Sequence, residues 1–388
     1  MLPKERVAAV FEHQPTDKIP IYQAGFSSDV ASYVLGREAY TGGGIQQFRE
    51  AQALWEGGVG GEAQAEFVER TFEDASELCE KLNLDMVRTI YWRKPLRPSI
   101  KIDENTFIYG DADKGEDWEV WHFDPPTETY GRVDGKAKPE PTPAQLAEEA
   151  ERAAEAAEEY EPTPDDLSPD VHWSIERFGD THAMYGGGVG SVGICIPRER
   201  VWLEATVLYP EIVGRYLDAA AIRGPKNARL AAQLGIPYCF GGGDFAGTRG
   251  PLYSPKVFHD LMLPRLKIIT EGCEKAGTYH LFASDGDLWP IAHDLFGEAR
   301  THGFYEVDRT FMDLRQLRDR FPHLRMLGGI RSEVLHVGTV EDVAEETRTA
   351  LETAHEIGGC IIGCSNQIVA GTPEENFWAM MEILEEER

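Results

Sequence analysis

Cations are scarce in this chain of 388 residues: 38 Lys and Arg stand against 67 Asp and Glu, a formal charge of −29. Such a surface repels phosphate backbones and anionic lipid alike, so neither nucleic acid nor a membrane is an expected partner. No apolar run reaches 18 residues and no basic-then-apolar leader opens the chain. Neither a spanning helix nor a secretory signal is therefore expected, and the expected location is the cytoplasm. Cysteine is sparse as well. Its six copies (79, 195, 239, 273, 360, 364) never fall in C-x-x-C spacing. That argues against a disulfide framework or a zinc knuckle and for reduced thiols that mostly fill the core.

What is present is the alternation of an α/β enzyme. Apolar positions at helical spacing occur over 3–13, 28–36, 44–56 and 63–82, and again over 198–208, 211–234 and 255–275. Between them lie short apolar runs bounded by Gly or Pro: Ile19–Tyr22, Asp85–Tyr91, one near Thr181–Tyr185, Ile236–Phe240, Tyr279–Phe282, one around Phe304–Tyr305, Arg325–Ile330 and Cys360–Gly363. Eight such strands, each followed by a helix, predict a (β/α)8 TIM barrel, read as a single domain over 1–388. Thr372-Pro373-Glu374-Glu375 predicts a capping box at the start of the last helix.

An insertion over about 95–175 interrupts the pattern. Thr106–Gly110 and Trp118–Phe123 alternate like an inserted β-rich hairpin or meander. Trp92, Trp118, Trp121 and Tyr130 either roof a pocket or pack this insertion onto the barrel, with packing favoured. The acidic Ala/Glu run Ala144–Tyr160 predicts an exterior, solvated helix, or less readily a docking surface for a basic partner.

Barrels keep their chemistry at the C-terminal ends of strands. Those ends carry Gln23, Arg88, His182, Asp244, His280 with Asp285, Glu306, Arg331, and Cys364 with Asn366 and Gln367. Asp244, Asp285 and Glu306 are the candidate catalytic acids, since crowded carboxyls in a partly dry mouth can hold a proton. The run Gly241–Gly243 is expected to let backbone approach a ligand closely.

Gly363-Cys364-Ser365-Asn366-Gln367-Ile368 followed by Gly371-Thr372-Pro373-Glu374-Glu375-Asn376 resembles the closing signature of the uroporphyrinogen decarboxylase superfamily, which includes corrinoid-dependent methyltransferases. Lys4–Phe11 with Asp17–Pro20, Asp244–Gly247 with Gly250–Pro255, and Ser284–Pro290 resemble its other motifs. The resemblance implies the barrel and three functions. The first is a methyltransferase that moves a methyl group between a small O- or N-methylated substrate and a corrinoid on a separate carrier protein, with Gln23, Arg88, His182, Arg331, Asn366 and Gln367 contacting substrate. The second is a decarboxylase of a porphyrinogen-like or other carboxylated ring, with Asp85 and Asp244 steering protons. The third is a binding protein that keeps only the barrel. Thiol-methylating relatives hold zinc through a His-x-Cys and a cysteine of the final loop. Here His280 precedes Leu281-Phe282 and Asn366 stands at the cysteine's place, leaving His280, Glu306 and Cys364 as a substitute zinc set. The loop after the first strand, Gln23–Asp29, has no arginine to clamp a polycarboxylate. The exposed helices would allow a homodimer.

Overall fold

The structure is a computed structural model that describes residues 1–111, 113–115, 117–185 and 189–388. The N-terminal part supplies α1 (Pro3–Phe11), α2 (Ser28–Leu35), α3 (Gly44–Gly57) and α4 (Glu62–Lys81), followed by β1 (Met86–Val87). The insertion holds β2 (Ile100–Lys101), β3 (Thr106–Tyr109), β4 (Glu119–Asp124), β5 (Thr129–Gly135), α5 (Pro143–Glu159) and α6 (Pro169–Phe178). After it come β6 (Ala183–Met184), α7 (Arg200–Leu208), α8 (Pro210–Gln233), β7 (Tyr238–Gly242), a small hairpin of β8 (Ala246–Gly247) and β9 (Gly250–Pro251), α9 (Pro255–Val257) and α10 (Leu263–Ala276). The last part runs β10 (Tyr279–Ala283), β11 (Gly303–Val307), α11 (Leu314–Arg320), β12 (Arg325–Ile330), α12 (Ser332–Val337), α13 (Val340–Ile357), β13 (Cys360–Cys364) and α14 (Glu374–Glu387).

The protein is an α/β protein built on parallel strands. The main sheet has the order β13-β12-β11-β10-β7. Single parallel bridges carry the ladder onward from Ile362 to Ile21 and from Tyr22 to Met86, and β1 pairs with β6. The strands thus follow one another in chain order. Among the described residues no strand pairing joins β6 to β7, so the ladder is not closed by hydrogen bonds. The segment 189–194 lies along β7 instead, where Val192 N–H donates to the Phe240 carbonyl at 3.0 Å.

Period-two alternation sorts the strand side chains into two layers. Tyr22, Met86, Ala183, Tyr185, Tyr238, Phe240, Leu281, Leu327 and Ile361 share the inner cluster. Their sequence neighbours Val87, Cys239, Phe282, Phe304, Met326 and Ile362 belong to the outer layer, under the helices. Which layer a residue faces decides whether it can reach the mouth.

Inside the expected insertion, β2–β5 form an antiparallel sheet in the order β2-β3-β4-β5. Trp121 and Tyr130 pack with Phe48, Phe107 and Phe123, so they seat the insertion rather than roof a pocket. Glu128 ties this sheet to the start of α2. Its carboxylate accepts from the N–H groups of Ser28 (2.7 Å) and Asp29 (2.8 Å), capping α2 from another part of the chain. Gly44 lies so close beneath that a Cβ there would stand 2.5 Å from Tyr130 N.

Two local expectations change. The helix α5 is not wholly solvated: Leu146, Ala150, Ala154 and Ala157 are buried, and α5 packs along α8, with Arg215 taking Glu151. At α14 the capping box does not form. Thr372 Oγ1 donates to the Val369 carbonyl, and the helix opening is anchored instead by Asn376, which donates to the carbonyls of Leu335 and Gly338. No helix of the described residues is long and apolar enough to cross a membrane.

Candidate functional site

The mouth at the C-terminal strand ends is centred on Glu306. Strict alternation from Phe304 would turn this side chain outward, but β11 and β12 lose register between Phe304 and Val307. Glu306 there adopts φ 61°, a left-handed conformation that is costly for a residue with a Cβ. The bulge re-aims the carboxyl inward. Its Oε1 accepts from the Tyr185 hydroxyl at 2.9 Å, and its backbone N–H donates to the Tyr22 hydroxyl at 3.1 Å. Tyr185 packs on Phe240 and edge-on to Tyr305, so the acid lies in an aromatic wall. Burial raises the Glu306 pKa above the usual carboxylate range. The Tyr185 bond and the Arg88 charge oppose that shift, and Asp285 adds to it.

Asp285 is crowded by protein yet reached by solvent. Burial and the neighbouring Asp308 raise its pKa, against the pull of Arg198 and of Asn366. Asn366 Nδ2 donates to Asp285 at 3.4 Å, and Asn366 Oδ1 accepts from Gln367 N–H at 2.7 Å. The final loop is thereby linked to the loop after β10. Asp244 is exposed, and it pairs with Arg198.

Arg88 enters from the end of β1. Its Nε and Nη1 donate to the carbonyls of Ile90 and Ala24, and its guanidinium lies 4.2 Å from the Trp92 ring and 5.3 Å from that of Tyr185. Gly25 permits this. A Cβ there would stand 3.2 Å from Gln367 Cγ and 3.4 Å from Arg88 Nη1. Of the expected site residues the mouth therefore gathers Glu306, Asp285, Asn366, Gln367 and Arg88, with Asp244 on its rim.

Others lie elsewhere. Gln23 is buried behind the sheet: its Oε1 accepts from Cys364 N–H at 3.0 Å and its amide approaches Met381 of α14. His182 precedes β6, and so sits at the opposite end of the strand, bonded to Thr181 Oγ1. Arg331 is engaged by Glu346 of α13 through Nε and Nη2. Asp85, also before its strand, is locked by Arg6, Arg388 and the Ile21 N–H, far from a proton-steering position.

The substitute zinc set is not assembled. His280 is an outer-layer residue with Nδ1 on Thr270 of α10 at 2.8 Å, and burial drives its pKa down to about 3. Burial pushes the Cys364 thiol up to about 12, so it stays protonated. Among the described residues no group of three His, Cys, Asp or Glu side chains is placed to hold a metal. The glycines 241–243 serve the chain itself. A Cβ on Gly242 would stand 2.3 Å from Ala283 O, and one on Gly241 2.6 Å from the Val192 backbone. Tyr22, Tyr185 and Arg198 belong to the site but were not singled out in the sequence; the aromatic at the end of each inner-facing strand was the available signal.

Residues 244–387 match the family model described as uroporphyrinogen decarboxylase (URO-D). No curated protein matches the sequence. Among solved structures, a methyltransferase from Methanosarcina mazei aligns over 100% of this chain and 99% of its own, at 17% identity and a TM-score of 0.58, a likeness of fold. The matched range 244–387 runs from β8 to α14 and includes the closing signature, so the likeness to the uroporphyrinogen decarboxylase family model covers the C-terminal part of the chain.

Proposed function

We propose that this chain is a methyltransferase of the uroporphyrinogen decarboxylase superfamily. It takes a methyl group from a small O- or N-methylated substrate and passes it to a corrinoid held on a separate carrier protein, on a strand set that forms a (β/α)8 barrel. The observation that carries this reading is Glu306, an acid aimed inward by a bulge, its carboxyl accepting from the Tyr185 hydroxyl and its backbone N–H donating to the Tyr22 hydroxyl. Breaking a methyl–oxygen or methyl–nitrogen bond leaves an anion that departs poorly at neutral pH unless a proton arrives with it. Glu306, with its raised pKa, delivers that proton to the leaving atom, and Asp285 restores it. Gln367 orients the substrate. The docked corrinoid supplies the nucleophile that takes the methyl group. The rim suits such a partner: Trp92, Leu252 and Val369, on loops at the strand ends, are large apolar side chains open to solvent. No step is assigned to zinc, because the ligands do not converge.

Decarboxylation of a small ring acid is the second reading, favoured by the family description matched over 244–387. The same acids would protonate the carbanion left by CO2. One assay separates the two. Purified protein is mixed with reduced cobalamin and a panel of methoxylated and N-methylated compounds, and methylcobalamin is followed by visible absorbance. Methyl transfer that disappears in Glu306→Gln supports the first reading. No transfer from any donor, with or without carrier proteins, overturns it, and CO2 release without cobalamin then establishes the second.

A further inference from the structure

Among the described residues two arginines, Arg88 and Arg325, are buried without a carboxylate partner and a third, Arg318, is half-buried without one, and they differ in what their nitrogens do. Arg325 is 2% exposed and spends Nε, Nη1 and Nη2 on the carbonyls of Val10, His323 and Phe11. Arg318 gives Nη1 and Nη2 to the carbonyls of Pro322, Leu324 and Gly358, and its Nε is sealed from solvent. Both are used up in holding backbone together.

Arg88 is not. It is 9% exposed, and only Nε and Nη1 are engaged. Its Nη2 has no protein partner among the described residues and is not among the sealed side-chain nitrogens, so solvent reaches it. Removing a guanidinium this far from water is costly, and two neutral carbonyls and aromatic faces repay only part of that cost. Glu306 feels the charge of Arg88 without pairing with it. An anion brought in by a ligand would complete the pair.

We infer that the substrate is a flat-ring monocarboxylate, its carboxylate bound by Arg88 Nη2 and its ring lying along Trp92 and Tyr185, with the far substituent directed to Glu306. Trp92 is 44% exposed, which leaves one of its edges free to take a ring. The geometry admits one carboxylate, since the cationic donor beside Glu306 is Arg88: at the strand ends Arg198 holds Asp244 and Arg331 holds Glu346, and Arg249 stands exposed at the turn between β8 and β9. This inference rests on the mouth being the substrate site, as proposed above, and it adds the substrate's charge.

The test is direct binding, read from quenching of tryptophan fluorescence and from calorimetry, without corrinoid. The probes are 4-methoxybenzoate, 4-methoxybenzamide and 4-methoxybenzylamine, which share a shape and differ in charge. The full-length protein should bind the benzoate roughly tenfold or more tighter than the benzamide, the size of one charge-assisted pair. Arg88→Met should abolish that preference, lowering benzoate affinity far more than benzamide affinity. Arg88→Lys, which keeps the charge and loses the fork, should retain part of it. Far-UV circular dichroism and the melting temperature confirm that each variant folds. Equal binding of benzoate and benzamide, preference for the amine, failure of all three probes to bind, or a preference that survives in Arg88→Met would overturn the inference. A benzoate preference with no methyl transfer would uphold it while sinking the methyltransferase reading.

Discussion

The Tyr185 hydroxyl donates to Glu306 Oε1 at 2.9 Å across the inner layer, from the end of β6 to the end of β11. It is the bond that holds the raised pKa of Glu306 in check, because it favours the charged carboxylate.

Tyr185→Phe removes that bond and should therefore raise the Glu306 pKa further. A group acting as an acid must be protonated, so the rate falls as pH rises through its pKa. In Tyr185→Phe this fall should move to higher pH, while Glu306→Gln should lose the pH-dependent limb together with most of the activity. Carboxyl carbon-13 NMR titration of wild type and Tyr185→Phe checks the direction without an assay. A downward shift would contradict it.

The left-handed backbone at Glu306 makes a second prediction, one about stability. At φ 61° any Cβ is strained, and glycine relieves the strain. Glu306→Gly should be more stable than Glu306→Ala by about 1 kcal/mol, although glycine in ordinary strand backbone is the less stable of the two. Urea denaturation of the two variants decides it. If alanine proves equal or better, the bulge is not strained.

Helices were the legible part of the sequence. The periods over 28–36, 44–56 and 63–82 fall within a residue or so of α2, α3 and α4, because one apolar stripe fixes both the helix and its buried face. Strand ends were legible less well. A shift of one residue turns a side chain from the inner to the outer layer, which displaced Gln23 and His280, and His182 lies before its strand instead of after it. Glu306 reached the mouth through a bulge that breaks alternation, and nothing in Phe304-Tyr305-Glu306 announces one. Asp285, Asn366 and Gln367 could be placed because each follows its strand closely. Tyr185 and Tyr22 read as core aromatics, and their hydroxyl partners come from strands distant in sequence.

Glu128 shows the same limit, since its role requires Ser28 and Asp29 from a hundred residues earlier. Glu128→Ala leaves two N–H groups at the start of α2 without an acceptor. It should cost about 1–2 kcal/mol, in the range of a lost helix cap. Asp29 also accepts from Gly371 N–H at 3.0 Å, so the loss should loosen the final loop of the mouth. Hydrogen exchange should quicken at 27–31 and 366–372 and stay unchanged at α13. Unaltered exchange at both segments would mean that the insertion does not brace the mouth.

His280 gives the sharpest dependence on pH. Buried against Thr270, it is held neutral, with its pKa lowered to about 3 from the ordinary 6.5. A histidine depressed in the folded state takes up its proton more readily when unfolded. The stability it allows is therefore complete above pH 6.5 and is lost as pH falls from there toward 3, at up to about 1.4 kcal/mol per pH unit. His280→Gln keeps an amide that can bond Thr270 and cannot titrate. Between pH 7 and 5 its urea midpoint should fall less than that of wild type, even if it starts lower, and its zinc content should match wild type because His280 faces α10 and not the mouth. Parallel midpoints across that range would place the acid sensitivity on the other depressed histidines, His13, His182, His302 and His323, whose burial works in the same direction.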